Sequence, residues 1–191
     1  MSRRTLARVA TLALAALLVA GCLGETPEEQ AARALGPDTC GGGRRGGQEE
    51  DDDEGGPEHR CGQPCLFCHS ASYNPGERVF IMAGTVFARP GDTVGVGGAE
   101  VALEDAAGHQ VSVLTNATGN FMLSRGSSLQ QRGRGQVRVP FDLVYPVAVV
   151  VRKDGLERKM RSHIQREPNC AVCHTAALSA TSAGHVVLEG P

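Results

Sequence analysis

A chain of 191 residues with 19 basic and 21 acidic side chains, 41% hydrophobic residues and no tryptophan has room for one modest domain. Its formal charge of -2 is no profile for nucleic-acid binding, which wants a basic face. No residue pattern marks a hydrolase, transferase or nucleotide site, so neither an enzyme nor a small-molecule substrate is indicated.

Residues 1–21 read as an export signal. Arg3, Arg4 and Arg8 form a basic start, and residues 9–20 are apolar, roughly a dozen in a row where a membrane span needs about 20. Val19-Ala20-Gly21-Cys22 then resembles the lipobox of bacterial lipoproteins. The resemblance implies cleavage before Cys22, lipid on that cysteine, and an anchor of two or three acyl chains, where a single chain binds only marginally. Leu23 stands where an Asp would resemble an inner-membrane retention signal, which favours the outer membrane. A soluble secreted protein is the alternative. Removing residues 1–21 leaves 16 basic against 21 acidic residues, a formal charge of -5. Export places the remaining thiols where they end as disulfides or as ligated and modified groups.

Residues 22–60 have little from which to build a core. Gly41-Gly42-Gly43 and Gly46-Gly47 alternate with charge, and residues 49–54 are six consecutive acids. Such a stretch buries too little apolar surface to offset its ordering entropy, which predicts a disordered, self-repelling spacer. Residues 28–35 have the composition of a short frayed helix. Cys40 and Cys61 flank the spacer, and a disulfide between them would close one loop, unless Cys61 competes with Cys65 and Cys68 for partners.

Residues 61–78 carry Cys65-Leu66-Phe67-Cys68-His69, and residues 164–191 carry Cys170-Ala171-Val172-Cys173-His174. Cys-x-x-Cys-His is the attachment pattern of c-type haem. One turn of backbone sets both sulfurs along one edge of the porphyrin, and the next residue brings an imidazole under the iron. The pattern predicts two covalent haems, with thioethers on Cys65, Cys68, Cys170 and Cys173 and proximal ligands His69 and His174. His163, just before the second motif, is the first choice of distal ligand, followed by His59 and His185. His109, in a turn, reads as a surface residue. Both motif segments are expected to be loop or short helix.

Between the motifs, residues 79–163 switch to short β-branched runs separated by Gly, Asp and Asn. Strands are predicted at 79–88, 99–104, 110–115, 121–124, 143–152 and 156–162, with a last short one at 185–188. Turns are expected at 105–109 and 116–120, and Asp154-Gly155 is a two-residue hairpin signal. Pro146 demotes the first half of its run to an edge or bulge. Met82, Met122 and Met160 are expected in the core. Seven short strands without helical periodicity predict an all-β, Greek-key sandwich.

Ala83-Gly84-Thr85-Val86, Gly98-Ala99-Glu100-Val101-Ala102-Leu103-Glu104-Asp105 and Thr115-Asn116-Ala117-Thr118-Gly119-Asn120-Phe121 resemble the carboxypeptidase regulatory-like domains. The resemblance covers roughly residues 79–162 and implies a transthyretin-like, non-catalytic module. If the first and last strands run antiparallel, both motifs meet at one pole of this module. The whole is then a membrane-anchored diheme protein passing electrons to a redox partner at the cell envelope. The alternatives are a four-thiolate zinc site, with His69 or His174 substituting for a sulfur, or a cofactor-free sandwich stapled by disulfides.

Overall fold

The computed structural model describes residues 34–36, 40, 58–71, 79–131, 135–176 and 178–189. The expected export signal, the lipidated Cys22 and most of the spacer lie outside the described residues. Ala34 and Leu35 of the expected short helix are helical.

The strands are β1 (Phe80–Phe87), β2 (Glu100–Glu104), β3 (Gln110–Leu114), β4 (Asn120–Arg125), β5 (Gln130–Gln131), β6 (Gln136–Val139), β7 (Ala148–Lys153) and β8 (Leu156–Lys159). A single helical turn, α1 (Cys170–Cys173), precedes β9 (Leu178–Ser179), β10 (Ser182–Ala183) and β11 (Val186–Val187). They build a five-stranded sheet in the order β11-β1-β4-β6-β5, a four-stranded sheet in the order β3-β2-β7-β8, and a small β9-β10 hairpin. The fold is mostly β and sandwich-like.

Alternation drives the packing. In β2 and β3, Val101 pairs with Val113 and Leu103 with Val111, all buried, while Ser112 between them is exposed. Facing them from the other sheet are Met82 and Val86 of β1, Phe121 and Leu123 of β4, and Val137 and Val139 of β6. Each such side chain contributes about 1.5–3 kcal/mol by leaving water.

The turns follow local chemistry. The Asp105 carboxylate accepts from the Ala107 and His109 N–H groups, closing the β2–β3 turn. At the β7–β8 turn, Asp154 and Gly155 have φ of 50° and 80°, the two positive values that a type I′ hairpin requires. The buried Asn116 accepts from the Thr118 and Asn120 N–H groups through Oδ1, closing the turn before β4.

Four strands beyond the seven expected appear, β5, β6, β9 and β10. β6 holds two buried valines, Val137 and Val139, within a four-residue element too short to register as a period. The long apolar run yields a strand only from Ala148 onward, after the cis Tyr145-Pro146 bond. Met122 departs from expectation: alternation along β4 turns it away from the inter-sheet core, onto Phe80 and Ala83.

That outward cluster identifies an unusual feature of β1. Its inner face meets the sandwich core, while its outer face is covered by residues from the segment before it. Gly62 N–H donates to Thr85 Oγ1 at 2.8 Å, and Thr85 Oγ1 donates to Asn120 Oδ1 at 2.7 Å, tying this cover to β1 and β4. Cys61 is bonded to Cys40, and both pack on Phe87.

Candidate cofactor-attachment site

Both cysteine motifs dock on β1. In the first, Cys65–Phe67 form a 3-10 turn, and the His69 N–H reaches the Cys65 carbonyl at 3.0 Å. Phe80 N–H donates to the His69 carbonyl at 2.9 Å, so the motif leads into the strand it covers. Cys65 and Leu66 rest on Phe80, Ala83 and Met122, whereas Phe67 is exposed. Burial pushes the Cys65 thiol up to about 11, opposed by a backbone hydrogen bond and reinforced by neighbouring Cys68.

The second motif approaches the edge of the same strand. Ala83 N–H donates to the Pro168 carbonyl at 3.2 Å, and Asn169 bridges to Ala83 in parallel. α1 follows, closed by a 2.9 Å bond from the His174 N–H to the Cys170 carbonyl. Cys170 sits over Gly84 so closely that a Cβ there would lie 2.7 Å from the cysteine Cβ. Burial, and then the proximity of Cys65, push the Cys170 thiol up to about 12. Val172 and Cys173 face solvent.

The first cysteines of the two motifs therefore pack against adjoining residues of one strand, Cys65 on Ala83 and Cys170 on Gly84. The route differs from the antiparallel one expected. β8 belongs to the other sheet, the chain returns to β1 through residues 168–170, and β11 runs parallel to β1. Within the motifs only Ala171 is buried, while Phe67, Val172 and Cys173 are exposed and the rest are half-buried.

The histidines sort by location. His174 Nδ1 lies 2.8 Å from the Gly184 carbonyl. A carbonyl only accepts, so Nδ1 donates, and Nε2 is the nitrogen left to bind a metal, the usual arrangement for a ligating imidazole. His185 stacks on Phe87 at 3.9 Å, and its buried Nδ1 has no hydrogen-bond partner. Burial lowers its pKa; Asp92 acts against that and His174 with it. His59 lies beside His69, ring centres 6.0 Å apart, and His69 packs on Phe80 at 4.5 Å. His163, the first choice from sequence, is exposed. His109 donates from Nδ1 to Asp105 and stacks on Phe141, a structural role.

A cavity of about 70 Å³ is lined by His59, Cys65, Cys68, His69, Phe80 and Met122, among others. Pockets that engulf a cofactor run to about 300–1,000 Å³. The donor set and its one-turn spacing fit a c-type haem, which the cavity as it stands is too small to enclose. Among the described residues, no group of three or more His, Cys, Asp or Glu is arranged around a metal-ion position. No helix among the described residues is long and apolar enough to cross a membrane. Compared with known proteins, the chain matches no family model, no curated protein and no solved structure.

The sequence contains no signal for the His59–His69 pairing or for the role of Gly84. Both arise from segments folding onto β1.

Proposed function

We propose that the chain is a membrane-anchored electron carrier with two c-type haems, one on Cys65, Cys68 and His69, the other on Cys170, Cys173 and His174. The observation that carries this reading is the shared geometry of the motifs. Each forms one turn closed by a bond from its histidine N–H to its first cysteine's carbonyl, at 3.0 and 2.9 Å, against neighbouring residues of β1. A disulfide staple has no use for a histidine held at that point of the turn.

The haems supply reversible one-electron chemistry at iron. The protein's part is attachment, ligation and spacing. Each motif thiol would add across one vinyl group, sulfur to one carbon and its proton to the other, an attachment that would need no oxidant. His174 presents Nε2 because Gly184 holds the proton on Nδ1. β1, covered on both faces, holds the two attachment points at a fixed separation. Exposed Phe67 and Val172 put apolar surface beside each, suited to a redox partner protein. No catalytic residue is assigned.

The Cys40–Cys61 disulfide fits an oxidising compartment and supports export, with Cys22 as the lipid anchor at the outer membrane. The two sheets support a Greek-key module of the carboxypeptidase regulatory-like kind as the scaffold.

The second reading is a zinc site on the motif cysteines with a motif histidine, although among the described residues no three such groups surround one metal position. Expressing the mature chain in a host that attaches c-type haem separates the two. A coloured protein that is reversibly reduced, with two haems per chain by pyridine haemochrome, supports the carrier. A colourless protein with stoichiometric zinc supports the second reading, and a colourless, metal-free one contradicts both.

A further inference from the structure

Resting on that reading, we infer that His59 is the sixth ligand of the iron held by His69. Two imidazoles that bind one iron from opposite faces, each through a nitrogen about 2 Å away, hold their ring centres about 6 Å apart. The His59 and His69 rings are 6.0 Å apart with 48° between their planes, whereas the stacked His185–Phe87 pair is at 3.9 Å. Both rings line the cavity that also receives Cys65 and Cys68.

Each ring has a fixed base. The His59 carbonyl accepts from Asn120 Nδ2 at 2.8 Å, which ties that residue to β4, and Cys61 two positions on is held by its disulfide. His69 is tied to β1 through the Phe80 N–H and packs on the Phe80 ring. The other histidines outside the motifs are placed elsewhere. His109 is engaged by Asp105 and Phe141, His185 is stacked on Phe87 beside Gly62, and His163 is exposed.

The test uses the mature, haem-loaded chain. Unsubstituted protein should show a low-spin, bis-imidazole signature in near-infrared magnetic circular dichroism and electron paramagnetic resonance. His59→Ala should convert one haem equivalent to a high-spin form that binds carbon monoxide when reduced, and added imidazole should restore the low-spin signal. His163→Ala should change neither. Retention of the full low-spin signal in His59→Ala overturns the assignment. So does an unsubstituted protein with no bis-imidazole signature, a result that stands even if the variant fails to fold. Covalent haem on Cys65 and Cys68 with an unaltered His59→Ala spectrum overturns the ligand alone. Absence of covalent haem overturns the electron-carrier reading with it.

Discussion

Asp105 shows how a single side chain holds an end of the sandwich. Its buried carboxylate accepts from the Ala107 and His109 backbone, from the His109 ring, and from Val144 N–H across the neighbouring loop. Burial alone would raise its pKa, but the bonds from Val144 and His109 outweigh it and hold the carboxyl down to about 2. An unfolded Asp titrates near about 3.9. The stability this residue contributes is therefore complete above about pH 4 and is lost as pH falls toward 2. Urea midpoints measured from pH 6 to pH 2 should fall less steeply for Asp105→Asn than for the parent. Equal slopes would show that the carboxylate carries none of the acid sensitivity. Asn116 is the corresponding residue at the β3–β4 turn. Its Oδ1 serves two backbone N–H groups and the Thr118 hydroxyl, so Asn116→Ala should cost about 2 kcal/mol in chemical denaturation. A loss below about 0.5 kcal/mol would contradict that role. Both turns were legible as Asp- and Asn-containing breaks between alternating strands. The reach of Asp105 to Val144 was not, because it joins residues 39 apart.

At the level of elements, β1 decides where the chemistry sits. The sequence marked it as a strand, and Phe80–Phe87 is one, but alternation gave no hint that its outer face is also covered. Such cover comes from a segment whose own pattern is cysteine, glycine and proline, with no period to read. The cost of this close packing is visible at Gly84, where Cys170 and the Phe121 ring leave no room for a methyl group. Gly84→Ala must displace α1 or β4, and overpacking of this kind costs about 1–3 kcal/mol. We expect the variant to lose haem at Cys170 and Cys173 while keeping it at Cys65 and Cys68, as read by peptide mass mapping. Full occupancy at both motifs would mean that α1 is not positioned by its contact with β1. The strands that escaped a reading from sequence, β5, β6, β9 and β10, are four residues or fewer, too short to show a period even where the partner is the neighbouring strand.

For the whole molecule, the disulfide links two cysteines that both precede the first motif and pack together on Phe87 of the sandwich. Cys40 and Cys61 lie 21 residues apart, and a crosslink closing a loop of that size stabilises by about 3 kcal/mol. The paired Cys40→Ser, Cys61→Ser variant should therefore unfold at a distinctly lower temperature, with looser cover over Phe87; an unchanged melting temperature would contradict this. Its pairing was one of two readings open from spacing alone, since Cys61 also lies near Cys65. Packing on Phe87 and Val187 selects it, and that contact exists only once β1 and β11 are formed.

The same folding brings two motifs about a hundred residues apart onto one strand, and the account stands on what those motifs hold. Intact mass of the mature, denatured chain is the most direct measurement. Two covalently bound haems are predicted, falling to one in Cys68→Ala and to the other one in Cys173→Ala. The mass of an unmodified polypeptide, from a host competent to attach c-type haem, would contradict the central claim.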